Sequence, residues 1–214
     1  MKRLKLTFAL LVLSLIAIQA NGQYEQAMGK NIPAMFSAGT AQDLLAAANN
    51  LERIANAEEV KWEPYYYAAF GNLRMMEHVP TPAEKDSYLE KALELVGKGA
   101  EASPNNSELE ALRGYVIMMQ LTVDPATRGQ QYSGMAFNAF NKAVALNPQN
   151  PRAHFLLGQM QLGTASFMGG GDGGSCATFG NAKALFEAEK PSDNPFAPSW
   201  GKSGNEQALA ACGE

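Results

Sequence analysis

Histidine is almost missing from this 214-residue chain. His78 and His154 are the only two, and neither stands at a metal-ligand spacing from a cysteine, an aspartate or the other. A histidine-built metal centre is therefore not expected, and no metal site is assigned. Cysteine is limited to Cys176 and Cys212, too few for a four-cysteine zinc site, and none falls near residue 20, where a lipid anchor would attach. No serine occupies a G-x-S-x-G elbow, and Ser133-Gly134 and Ser175-Cys176 have no base nearby. Sustained period-two alternation is missing as well, so the chain carries no strand signal.

Long apolar runs are scarce. The one present, Leu6 to Ile18, is broken only by Thr7 and Ser14 and follows the basic stretch Met1-Lys2-Arg3-Leu4-Lys5. It is too short for a membrane span and has the flanks of a secretory signal peptide. Small residues at Ala20 and Gly22 offer cleavage sites, and residues 1–22 are assigned as signal peptide, with the mature chain starting at Gln23. Removing 1–22 takes away Lys2, Arg3 and Lys5 and no acid, so 14 basic against 21 acidic side chains leave a net charge of −7. That balance, with no basic run, disfavours nucleic acid and anionic membrane surfaces as partners. A periplasmic or secreted protein, not inserted in a membrane, is expected. For an exported chain an even pair of cysteines favours a Cys176–Cys212 disulfide.

What is present is helix. Thr40-Ala41-Gln42-Asp43 opens a segment with Leu44, Leu45, Ala48, Leu51, Ile54 and Ala55 on one face. Before it, Gln23 to Phe36 reads as a short amphipathic segment interrupted by Pro33. Pro64 is placed as a first helical residue, and Thr81-Pro82-Ala83-Glu84 joins a capping box to a proline at the first position. Asn106, Asp124 and Asn150 precede further helices. A glycine tract at 169–174, broken by Asp172, precedes a helix near Thr178–Glu189. The tail 191–214 is irregular, carries Trp200 and ends in a helical patch from Asn205 to Cys212.

Gly71, Gly114 and Gly158 recur at intervals of 43 and 44 residues. Ser103-Pro104-Asn105-Asn106 and Asn147-Pro148-Gln149-Asn150 precede the last two, with the same ten-residue distance from proline to glycine. A helical repeat at this period means a solenoid, in which each pair buries its apolar face against the next. The stretch Lys142 to Asn150 resembles a tetratricopeptide-repeat boundary. Ala136, Phe140, Ala143 and Pro148 match that family's small, aromatic, small and proline positions, and Gly114 and Gly158 its helix-contact glycine. The layout also resembles exported repeat proteins of Bacteroidetes-type bacteria. The family repeats every 34 residues, so this chain has longer helices or turns around 79–86 and 122–133. A HEAT-type array has about the right period but does not explain the Asn-Pro-x-Asn boundary. The resemblance implies an all-α fold: a short right-handed solenoid of about three helix pairs, with a capping C-terminal helix and tail, in one domain spanning 23–214.

The resemblance also implies that the first helix of each pair lines a concave groove. The groove-facing positions are then Tyr65, Asn72, Met75, Met76, Glu108, Tyr115, Met118, Met119, Arg152, Phe155 and Gln159. This apolar set with a few polar groups has the composition of a partner-binding patch. The expected partner is an apolar peptide or amphipathic helix, the protein's own tail around Phe196 and Trp200 included. The glycines Gly169, Gly171 and Gly174 fit G-x-G-x-x-G but follow a helix instead of a strand, so no dinucleotide and no other cofactor is implied. The carboxylate pairs Glu58/Glu59 and Glu108/Glu110 suit the charged outer face of a solenoid. The sequence thus predicts a non-catalytic binding module of the cell envelope. A small-ligand binder using the same groove is the alternative, and an enzyme on a helical scaffold ranks behind both.

Overall fold

The structure, a computed structural model, describes residues 22–213. The segment 1–22, expected to be a signal peptide, lies outside the described residues except for Gly22. Residues 22–36 form a helix, α1. It is followed by α2 (Ala41–Ala57), α3 (Trp62–Met75), α4 (Pro82–Ala102), α5 (Ser107–Val123), α6 (Pro125–Leu146), α7 (Pro151–Met168), α8 (Ser175–Ala188) and α9 (Lys202–Ala210). Short 3₁₀ turns at Met76–His78 and Ala211–Gly213 complete the order, and the described residues contain no strand.

The helix starts follow their caps. Thr40 Oγ1 accepts from the Asp43 amide at 3.1 Å, and the Thr81–Glu84 capping box is complete in both directions. Asn106 and Asn150 accept from the amides two and three residues ahead. Three boundaries depart from the sequence reading. α1 runs through Pro33 without a break, because Tyr24, Met28 and Met35 all bury on one side of it. α3 begins two residues before Pro64, since a missing N–H is harmless anywhere in a first turn. α8 begins at Ser175, three residues early: Asp172 accepts from the amides of Gly174 and Cys176 and supplies the cap.

α3–α4, α5–α6 and α7–α8 pack as successive pairs, with α1 and α2 ahead of them. Gly114 and Gly158 explain the close approach within two of these pairs. A Cβ on Gly114 would stand 2.5 Å from the Phe140 ring, and one on Gly158 would stand 2.5 Å from the Phe179 ring. Gly71 works differently. Its missing Cβ makes room for Ala48 of α2, 2.8 Å from where that atom would be, so it closes a contact with the preceding helix. Neighbouring pairs are locked by Asn150, whose Nδ2 donates to Ser107 Oγ at 2.9 Å while that hydroxyl donates to the Ala143 carbonyl at 2.8 Å. A bidentate Arg128–Asp86 pair, 2.6 Å on each arm, ties α6 to α4.

The apolar interior falls into two clusters. One gathers α1 to α5 around Met28, Met35, Tyr66, Leu73 and Leu95. The other gathers α5 to α9 around Phe140, Leu156, Phe179 and Phe186. Leu93, Tyr115, Met119 and Trp200 pack against both. α3 is buried on nearly every side, as a helix enclosed by neighbours and tail must be. The Cys176–Cys212 disulfide closes 36 residues and fastens the end of the chain to α8. No helix among the described residues is long and apolar enough to cross a membrane.

Candidate functional site

The inner face of the array is formed by α3, α5 and α7, and an extended tail segment, 190–201, lies along it. Phe196 meets Tyr24 edge-on at 5.4 Å, and the Tyr67 hydroxyl donates to the Ala197 carbonyl at 3.3 Å. Trp200 stands 4.9 Å from Phe70 and 6.2 Å from Tyr115, and its Nε1–H donates to the Tyr66 hydroxyl at 2.8 Å. Phe36, 41% exposed, extends this aromatic surface toward solvent at 5.6 Å from Phe70. Burial pushes the phenols of Tyr66 and Tyr67 up, Glu108 pushes further, and Arg152 offsets part of it. They stay protonated, as donors and ring surfaces.

The polar end of the face is built on Arg152, which is 4% exposed. Its Nε donates to both oxygens of Glu108 at 2.9 and 3.0 Å, and its terminal nitrogens donate to Glu189 at the end of α8. Burial raises the Glu108 carboxyl from its ordinary 4.5 to about 6, against the pull of Arg152. Burial lowers the guanidinium's proton affinity, and Glu108 and Glu189 together more than restore it, so Arg152 is a permanent cation. A cleft of about 360 Å³ opens beside this network, between Asn147, Asn150 and Lys190. A second, of about 280 Å³, opens beside the middle of the tail between Tyr24, Trp62 and Phe196, where the Lys61 ammonium sits 3.4 Å from the Tyr24 ring centre.

The eleven residues expected to line the groove do not share one surface. Tyr115, Met119, Glu108, Arg152 and Phe155 do converge on the tail. Tyr115 and Met119 are half-buried beneath it, and Phe155 meets Gly204, where an added Cβ would stand 3.0 Å from its ring. Gln159 is half-exposed. Tyr65 instead turns into the core against Gly99 of α4, and Asn72 is buried with its amide donating to the Ala68 carbonyl at 2.8 Å. Met75, Met76 and Met118 are buried within the two clusters. Adjacent residues on a helix diverge by about 100°, so a shift of one place puts Tyr66, not Tyr65, beside Trp200. Tyr66, Tyr67, Phe70 and Phe36 were absent from the sequence-derived set. Among consecutive aromatics the periodicity carries no mark of which one faces out.

His78 ends the 3₁₀ turn after α3 and is exposed. The His154 ring pairs with the Pro148 carbonyl at 3.0 Å and with Asn181 at 3.3 Å, away from the tail. No cluster of three metal-ligating side chains occurs among the described residues.

This architecture defines an all-α, tetratricopeptide-repeat-like solenoid whose inner face is crossed by its own tail. No protein-family model matches the chain, and no curated protein matches it. The solved structures similar to it include a haemophore and a tetratricopeptide-repeat protein. The HusA haemophore from Porphyromonas gingivalis superposes with a TM-score of 0.77 at 27% identity, over 88% of this chain and 92% of that one. A thermophilic tetratricopeptide-repeat protein of Thermus thermophilus superposes with a TM-score of 0.51 at 17% identity, over 91% of this chain and 95% of that one, a likeness of fold.

Proposed function

We propose that this protein is an exported, non-catalytic binder of a planar apolar ligand of the haem class. The observation that carries the reading is the similarity to a haemophore over nearly the whole of both chains. The inner face supports it chemically. Phe36, Phe70 and Tyr115 offer ring faces, and Tyr66 and Tyr67 offer neutral hydroxyls. The disulfide supports a location outside the cytoplasm, periplasmic or extracellular.

Titrating the mature protein with haem tests the reading. A saturable shift of the haem absorption band with one-to-one stoichiometry is expected, along with quenching of the tryptophans. No shift at micromolar protein would refute it. Peptide or protein binding is the second reading, and one observation favours it: the inner face already holds an extended peptide, the chain's own tail.

A further inference from the structure

We infer that the tail segment 190–201 is a displaceable strap over the ligand face, with the Trp200 indole standing where a planar ligand would stack. The inference rests on the haem-class reading for the identity of the ligand. Its physical basis is the tail itself.

The strap is held at both ends by contacts that do not involve its middle. At the near end Glu189 is paired to Arg152. At the far end the Asn205 amide donates to the Phe179 carbonyl at 3.0 Å, Gly201 seats against Phe186, and Cys212 is bonded to Cys176. The middle is attached lightly. Pro191, Pro195 and Pro198 have no N–H to give, and the backbone and turn bonds of the segment stay within it: Ala197 to Asn194, Phe196 to Asn194, and Asn194 to Ser192. Three polar bonds reach across to the array, from Trp200 to Tyr66, from Tyr67 to Ala197 and from Asn194 to Glu63. A segment with so few backbone bonds to its surroundings opens at a small fraction of the global unfolding free energy.

The space argument points the same way. Sites for drug-sized ligands run from about 300 to 1,000 Å³ and enclose most of the ligand surface. The two open clefts here, about 280 and 360 Å³, lie beside the middle of the strap at Asn194 to Phe196 and beside its start at Lys190. Tyr66, Phe70 and Tyr115 line neither cleft and are covered by Trp200. Lifting the strap uncovers the rings of Tyr66, Phe70 and Tyr115 as one surface. Trp200 resembles a stand-in ligand in its contacts: a flat ring inclined 31° to Tyr115 and 47° to Phe70, with one N–H donated to a buried phenol. A strap closed most of the time taxes affinity by the fraction of open molecules.

The test uses the mature, disulfide-bonded protein and two variants, Trp200→Ala and Trp200→Phe, with helix content checked by circular dichroism. Haem affinity is expected to rise about tenfold in Trp200→Ala and a few-fold in Trp200→Phe, because the closed state is weakened. Saturating haem is expected to speed chymotryptic cleavage after Phe196 in the wild type, read by mass after reduction. Unchanged or weaker haem binding in Trp200→Ala, or slower cleavage with haem, would overturn the strap. If no form binds haem, the ligand reading fails and the strap is decided separately with an anilinonaphthalene sulfonate dye. A several-fold rise of dye fluorescence in Trp200→Ala over wild type then supports it, and no rise overturns it.

Discussion

At the scale of single residues, the glycines divide by what their missing side chains would meet. Gly114→Leu and Gly158→Leu force a side chain into the Phe140 and Phe179 rings, and each is expected to destabilise by about 1–3 kcal/mol in denaturant melts. Gly163, inside α7 with open space around it, is the contrasting case: Gly163→Ala is expected to stabilise by roughly 0.5–1 kcal/mol. Glu108 makes a pH prediction. Its carboxyl holds its proton up to about pH 6 in the folded chain and to about 4.5 when unfolded, so the folded state binds more protons between those values. Its contribution is full below pH 4.5 and is lost, by about 2 kcal/mol, as the pH rises through 6. Glu108→Gln is expected to lack that fall in thermal melts from pH 4.5 to 7. The repeat register sets Glu108, and not Glu110, on the groove side, but no local pattern marks its raised proton affinity. Burial causes it, outweighing the opposite pull of Arg152, 44 residues away.

At the scale of helices, caps were legible and facing was not. Thr40, Thr81, Asn106, Asp124 and Asn150 announce five helix starts, because a cap is a local bond between residues two or three apart. The same locality hides what Asn150 adds, a bond to Ser107 in the previous pair. Asn150→Ala is therefore expected to cost about 2 kcal/mol against about 1 for Asn106→Ala, the second loss being the buried Ser107 hydroxyl's partner. Equal costs in chemical denaturation would show that the bridge between pairs contributes nothing. The facing of α3 was illegible for a different reason. Tyr65, Tyr66 and Tyr67 are all apolar enough to bury and all do, so no stripe distinguishes the tail-facing ring from the core-facing one. Pro33 misleads by the general rule for proline in helices, which the burial of Met28 and Met35 overrides here.

At the scale of the whole molecule, the repeat, the all-α class and the cysteine pair are readable in the chain. The course of residues 190–201 is not. That stretch has no periodicity, and its contacts, Trp200 to Tyr66 and Ala197 to Tyr67, span 134 and 130 residues. The disulfide should matter globally. Closing a loop of 36 residues is worth about 4 kcal/mol on chain-entropy grounds, so Cys212→Ser is expected to lower the unfolding midpoint and to release α9 before the rest. Hydrogen exchange that shows α9 and α7 opening together would count against that order.

α9 has one more consequence. It sits against α7 and α8 where a next repeat would dock, with Gly204 pressed to Phe155 and Asn205 bonded to the Phe179 carbonyl. A bare repeat end is a head-to-tail adhesive, and a contact of that kind does not close on itself but grows into a fibre. With α9 held over that end by a covalent bond, that face is closed to growth along the axis of the array.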